Sequence, residues 1–325
     1  MQRLSVAIIR GGPSQEHDVS MRTGAEVLSV LAPERYRVRD IIVTRAGDWI
    51  ESGFQRDPLM VLESVDVVFI ALHGVYGEDG TLQRQLERAH VPYTGSGPYP
   101  SAIAMNKLLT KEHLKEAGIN MAPHMKVSRD SADLYRVATS IESLFGPEYV
   151  IKPINGGSSI DVRNAAGVND LYTALTEITK QHEEVLVEQR LVGKEATVGV
   201  VERFRDQSIY RLPAIEIVPP AESLFFDYEN KYNGKTEEIC PGRFSKAEKT
   251  ALEDAATMVH QTLGLAQYSR SDFIVTADGV YFLEVNTLPG LTSESLLPRS
   301  LSAVGCSYSH FIEHLLLDAY HKGRV

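Results

Sequence analysis

The chain has 325 residues, 43% of them hydrophobic and 23% charged, with a formal net charge of −10. These proportions fit a soluble globular protein of two or three domains, and the acidic balance argues against nucleic acid as a partner. The apolar run 4–9 is too short for a signal segment and no later run could span a bilayer, so no membrane partner and a cytoplasmic location are expected. The two cysteines, Cys240 and Cys306, lie far apart without metal spacing and read as reduced thiols.

In chain order, 4–9 reads as a buried strand, followed by Arg10-Gly11-Gly12-Pro13-Ser14 and a helix over 16–31. This strand, glycine turn and helix suit an open α/β fold, but the spacing is neither a Walker A loop nor the dinucleotide fingerprint. Glu16 falls at the carboxyl end of the first strand, where such sheets bind ligands and where a carboxylate would hold an ammonium group. Strands are expected at 37–43 and 65–72. The second runs into His73-Gly74-Val75-Tyr76-Gly77-Glu78-Asp79-Gly80, after which Thr81 is expected to cap a helix over 82–89. His73 is either a structural hydrogen-bonder or a site residue, and the sheet edge it shares with Glu16 puts the two readings level.

A single helix is expected over 101–117, with Lys107 near its start, then a strand at 125–127, a helix over 131–144 and a strand at 149–152. Lys152 leads Lys-Pro-Ile-Asn-Gly-Gly-Ser-Ser-Ile, a small-residue loop suited to covering phosphates with backbone N–H groups, though also common as a generic loop. The run 185–188 reads as a strand ending in a hinge before Glu195. The stretch 219–241 has little periodicity but holds Phe225, Phe226, Tyr228, Lys231 and Tyr232, which suits a functional lid better than disorder. Helices are expected over 246–263 and 310–320.

Between those last helices lies 270–290, in which two apolar runs flank Ala277-Asp278-Gly279. A three-residue turn with Gly279 left-handed would pair Thr276 with Val280, Asp272 with Glu284 and Arg270 with Asn286. These four polar residues would then share one face, with Phe273, Val275, Tyr281, Leu283 and Val285 facing a core. A solvated acidic face is the plain reading of such a strand pair. Two opposed carboxylates beside an amide also form the hard oxygen set that Mg²⁺ takes together with substrate phosphates.

Taken together these stretches resemble the D-alanine–D-alanine ligases of the ATP-grasp superfamily over nearly the whole chain. The resemblance is carried by Gly11-Gly12-Pro13-Ser14-Gln15-Glu16, His73-Gly74 with Gly77-Glu78-Asp79-Gly80, Tyr93-Thr94-Gly95-Ser96-Gly97, and Lys107. It continues through Lys152-Pro153 with Gly157-Ser158-Ser159, Glu188 with Glu195, Lys231-Tyr232, Arg270 with Asp272, and Glu284-Val285-Asn286-Thr287-Leu288-Pro289-Gly290.

The resemblance implies an ATP-grasp α/β fold: an N-terminal open α/β lobe (1–103), a central lobe with a phosphate flap (104–187) and a C-terminal lobe (188–325). The last two clasp ATP between antiparallel sheets, with a lid at 219–241. It implies ATP-dependent joining of two D-alanines through an acyl phosphate for peptidoglycan precursor synthesis, in a homodimer. Lys107, Lys152 and Lys231 would hold phosphates. Glu188, the hinge backbone at Leu191, and Glu195 would hold adenine and ribose. Asp272, Glu284 and Asn286 would bind two Mg²⁺ (or Mn²⁺), Asn286 also reaching the nucleotide. Glu16 and His73 would lie by the first D-alanine, and Ser158 would link flap and lid through Glu16 and Tyr232. Arg270 and the Gly290 N–H would serve the oxyanion, with Ser295 and Leu296 positioning the second D-alanine.

Two positions depart from the family pattern. Asp161 stands in the flap where glycine is usual, which predicts weaker ATP binding or a differently ordered flap. Asn106 replaces the more usual Asp before Lys107, a change expected to matter little. Tyr232 matches the dipeptide-forming members. The nearest rival is another ATP-grasp carboxylate–amine ligase acting on a different amino acid pair. A turnover-dead binding module and a nicotinamide enzyme fit less well.

Overall fold

The computed structural model describes residues 3–156, 161–220 and 236–323. The first sheet is built from β1 (Leu4–Gly11), β2 (Tyr36–Val43), β3 (Trp49–Glu51), β4 (Phe54–Arg56) and β5 (Val67–Ile70), in the order β4-β3-β2-β1-β5. β1 runs parallel to both β2 and β5. A central parallel strand is covered on both faces, which is why Val6, Ala7, Ile8 and Ile9 form a continuous buried run rather than an alternating one. Its exit needs glycine. At Gly11 (φ 91°) a Cβ would lie 2.4 Å from the Val43 carbonyl oxygen. The apolar core under this sheet also takes in Leu288, Leu297, Phe311 and Leu315 from the end of the chain.

The second sheet contains β6 (His124–Ser128), β7 (Glu148–Pro153), β8 (Arg163–Ala166) and β9 (Glu184–Gln189), ordered β6-β9-β7-β8 and antiparallel throughout. Helices Leu134–Phe145 and Gly167–Ile178 bury Ala138, Ile141, Leu171 and Leu175 in the core on one of its faces. The third sheet contains β10 (Lys194–Phe204), β11 (Gln207–Arg211), β12 (Ile215–Val218), β13 (Glu237–Ile239), β14 (Tyr268–Thr276) and β15 (Gly279–Asn286). Its order is β13-β12-β10-β14-β15, with β11 also on β10. Helix Lys246–Thr262 packs behind it and starts on a reciprocal capping box between Ser245 and Glu248. Two antiparallel sheets beside a mixed first sheet, parallel about β1 and antiparallel at the β3–β4 edge, match the expected fold class.

Several local expectations need correction. The expected single helix is two, Pro98–Met105 and Lys107–Glu116, because Asn106 leaves helical geometry (ψ 104°) and its side chain accepts from the Leu109 N–H. Asn106 is therefore a helix cap, a role that Asp would fill equally well. Thr81 is the first helical residue rather than the cap: left-handed Gly80 precedes it, and Asp79 accepts from its N–H at 2.8 Å. The helix expected over 131–144 begins at Leu134, where the Asp133 side chain caps it by accepting from the Arg136 N–H. Part of the expected lid is strand β13, paired with β12; Lys231, Tyr232 and Ser158 lie outside the described residues.

Candidate active site

One cavity of about 1490 Å³ opens between the three sheets. Every predicted site residue within the described residues lines it. Glu16, His73, Lys107, Lys152, Glu188, Leu191, Glu195, Arg270, Asp272, Glu284, Asn286, Gly290, Ser295 and Leu296 all reach its wall.

The β14–β15 pair forms the floor. The turn expected there is wrong: Thr276 pairs with Gly279 across a two-residue loop, a register that would put Asp272 and Glu284 on opposite faces. A bulge at Leu283 adds one residue to β15 and reverses the parity, so Asp272 still faces Glu284 and Arg270 still faces Asn286. The bulge has a second consequence. Phe282 (1% exposed) takes the core place expected for Tyr281 and Leu283. Leu283 instead lines the cavity together with Ile274.

Arg270 grips Asp272 with two hydrogen bonds of 3.0 Å. Asn286 Nδ2 and Thr197 Oγ1 also donate to that carboxylate, at 3.3 and 2.5 Å. Burial works against the Arg270 charge, but Asp272, together with Glu284 and Glu78, more than offsets it and raises its pKa. Glu284 sits 3.7 Å from Lys107 Nζ, which also donates to the Gly156 carbonyl at 2.5 Å. Two carboxylates and an amide oxygen are hard donors of the kind Mg²⁺ accepts when a substrate phosphate completes its shell. The described residues show no cluster of three or more His, Cys, Asp or Glu that would enclose a metal by themselves. A cation on this floor would therefore share its ligands with a bound anion.

The cavity wall from the second sheet carries a buried ionic cluster. Glu188 on β9 lies 2.6 Å from Lys152 Nζ at one oxygen and 2.7 Å from Lys111 Nζ at the other, the Lys111 contact being an ion pair without hydrogen-bond geometry. Burial alone would raise the Glu188 pKa, but the two ammonium groups hold it at about 2. Lys111 itself is pulled below its ordinary range, because burial costs its charge more than Glu188 returns. Sequence reasoning missed Lys111. The available signal was its position four residues after Lys107 on one helix, which places both on one face.

The wall from the first sheet brings Glu16, His73 and Glu78 together. His73 is buried with both ring nitrogens engaged, Nε2 to Thr23 Oγ1 at 2.8 Å and Nδ1 to the Leu288 carbonyl at 2.9 Å. Burial lowers its pKa, favouring the neutral ring. The level odds set on its two readings thus resolve into a hydrogen-bonding residue that also faces the cavity. Glu16 lies against Gly74 (φ 73°), where a Cβ would come within 2.7 Å of Glu16 Oε2.

Glu78 was not singled out as a site residue, yet it fastens two loops by accepting from the Gly74 N–H at 2.7 Å and the Leu288 N–H at 3.0 Å. Burial and the neighbouring Glu16 charge push its pKa from 4.5 up to about 8. A carboxyl with a raised folded pKa adds stability below its unfolded pKa and loses it as pH rises through the folded value, here between 4.5 and about 8. Glu78→Gln, which cannot ionise, is expected to flatten the fall in urea midpoint between pH 5 and pH 8, by about 1.4 kcal/mol per pH unit at most. A slope equal to that of the native protein would contradict this.

At the far end, Gly290 faces Ser295, whose Oγ lies 2.8 Å from where a Gly290 Cβ would be. Ser295 Oγ accepts from the Thr292 N–H at 3.1 Å and opens the helix Leu296–Ala303. The adjoining wall holds Arg299 paired with Glu238 at 3.0 Å, two residues that sequence reasoning did not single out. Asp161 takes the left-handed backbone (φ 59°) and bonds His182 Nε2 at 3.0 Å.

Comparison with known proteins places this geometry in a family. A family model described as D-ala D-ala ligase C-terminus matches residues 113–317, and its N-terminal counterpart matches 5–60 and 52–96. This chain belongs to the D-alanine–D-alanine ligase family. A D-alanine–D-alanine ligase from Leptospira interrogans is 35% identical, the match covering 96% of this chain and 97% of the relative. One from Syntrophotalea carbinolica is 38% identical, covering 98% and 97%. The solved D-alanine–D-alanine ligase structure from Bacillus anthracis superposes with a TM-score of 0.82 at 30% identity, covering 99% of this chain and 98% of that one. Membership in the ligase family accounts for two antiparallel sheets facing each other across a cleft lined with lysines.

Proposed function

We propose that this chain joins two D-alanines into D-alanyl-D-alanine at the expense of ATP, through an acyl phosphate, in peptidoglycan precursor synthesis. The observation that carries this is the cleft floor, where Asp272 faces Glu284 and Arg270 faces Asn286 within reach of Lys107, across from Glu16 and His73. In the first step a D-alanine carboxylate oxygen attacks the γ-phosphorus and ADP leaves. In the second, the amine of the other D-alanine attacks the acyl carbon and phosphate leaves with that oxygen.

The protein's task is placement and charge. Lys107, Lys152 and Lys231 hold phosphates, while Glu188, Glu195 and the backbone near Leu191 hold ribose and adenine between the two antiparallel sheets. Ile274 and Leu283 give that end an apolar wall. Asp272, Glu284 and Asn286 would hold two Mg²⁺ (or Mn²⁺), which neutralise phosphate charge when bound. Glu16 pairs with the first substrate's ammonium and His73 keeps its loop in place. Ser158 and Tyr232 would link flap and lid through Glu16. Arg270 and the Gly290 N–H receive the oxyanion, and Ser295 with the Leu296 backbone take the second carboxylate. The three lobes 1–103, 104–187 and 188–325, a homodimer and a cytoplasmic location belong to the same reading.

The test is ADP release over a panel of D- and L-amino acids with ATP and Mg²⁺. The expected result is release with D-alanine alone, at least tenfold above any other single amino acid. Preference for another pair would leave a carboxylate–amine ligase but overturn the substrate.

A further inference from the structure

Lys111 touches no part of the cavity, yet it is 1% exposed and lies 2.7 Å from a carboxylate that does. The carboxylate is Glu188, 3% exposed, whose other oxygen holds Lys152 at 2.6 Å. Lys152 is 7% exposed and faces the cleft. Two ammonium groups thus share one carboxylate, leaving this buried cluster one positive charge in excess. An uncompensated charge in a desolvated place is costly unless an anion arrives to meet it.

Without the rear ammonium, Glu188 and Lys152 would form a closed, neutral pair. The Lys152 charge would then be spent on Glu188 instead of on the cleft. With Lys111 present, the Glu188 charge is already partly neutralised by an ammonium 2.7 Å behind it, so Lys152 keeps an attraction for a phosphate in front. We propose that Lys111 is a positioning residue for the nucleotide phosphates, acting through Glu188 to keep Lys152 available to them. This rests on the nucleotide reading given above and adds to it a residue that never meets the ligand.

The geometry separates this role from a merely structural one. A residue that only supported the sheet would weaken every ligand of the cleft alike. Lys111 acts on charge, so its removal must weaken ligands in proportion to the phosphate they carry. It must also act through Lys152, so removing Lys152 first must abolish its effect.

The experiment measures ADP, ATP and adenosine binding by calorimetry to the full chain, with Mg²⁺, for wild type, Lys111→Met, Lys111→Arg, Lys152→Met and the double variant Lys111→Met/Lys152→Met. Lys111→Gln replaces Lys111→Met if the latter lowers the melting temperature. The neutral variant is expected to weaken ADP and ATP about tenfold or more, the usual scale for losing one charge-assisted contact. Adenosine should stay within about twofold, and Lys111→Arg should restore most of the loss. On the Lys152→Met background the further loss should vanish. Equal weakening of adenosine and ADP, or an undiminished loss on that background, would overturn the role of Lys111 while leaving the nucleotide site standing. Failure of the wild-type protein to bind either nucleotide would overturn both.

Discussion

Arg270→Ala is expected to lower turnover by about 10²–10³, the usual cost of removing one preorganised oxyanion donor. The side chain lies at the centre of the cleft floor, bonded twice to Asp272 and directly across the strand pair from Asn286. Its loss should appear in kcat more than in the KM for ATP, because the charge it meets develops only as the substrates react. A second effect opposes any simple loss of metal affinity. Without the guanidinium, Asp272 and Glu284 face each other with less positive charge between them, so a divalent cation should bind no worse. The check is steady-state ADP release against ATP and Mg²⁺ concentration. Turnover within threefold of the native protein would remove Arg270 from the chemistry.

Glu188→Gln is expected to be the most destabilising single change in the cleft, by about 3–5 kcal/mol, the scale for removing one member of a buried ion pair. Glutamine keeps the shape but leaves Lys111 and Lys152 as two buried like charges with no anion between them. The same cluster sets an acid limit. The Glu188 pKa is held at about 2 against an ordinary 4.5, so its contribution is present above about pH 4.5 and is lost as pH falls toward 2. The depressed pKa of Lys111 means that the cluster as a whole stabilises less than Glu188 alone implies. Denaturant midpoints of the two proteins should therefore differ most near neutral pH and converge in acid. Equal midpoints at pH 7 would show that the cluster contributes nothing to the fold.

The elements were legible in the sequence wherever a single pattern governed them. The continuous apolar run of β1 and the period of helix Lys246–Thr262 each announce themselves. The helix break at Asn106 was less visible, since asparagine inside a helical pattern looks the same whether it faces solvent or caps a new turn. The floor of the cleft shows a subtler case. Its pairs were placed correctly on the wrong turn, because the two-residue loop and the bulge at Leu283 shift the register by compensating amounts. Periodicity recovers the parity of a strand pair without revealing where an extra residue is absorbed, and so Leu283 was assigned to the core. Lys111 was lost for another reason. Lysine is so often a solvated charge that only the three-dimensional neighbourhood of Glu188 and Lys152 distinguishes a buried one.

The acyl phosphate step can be tested directly with D-alanine labelled with ¹⁸O in its carboxylate, supplied with ATP and Mg²⁺, while the masses of dipeptide and inorganic phosphate are followed together. The proposed sequence predicts one ¹⁸O in the released phosphate for each D-alanyl-D-alanine formed, since the attacking oxygen departs with phosphorus. Dipeptide formed with unlabelled phosphate would contradict the acyl phosphate; labelled phosphate with no dipeptide would keep it and overturn the amine transfer.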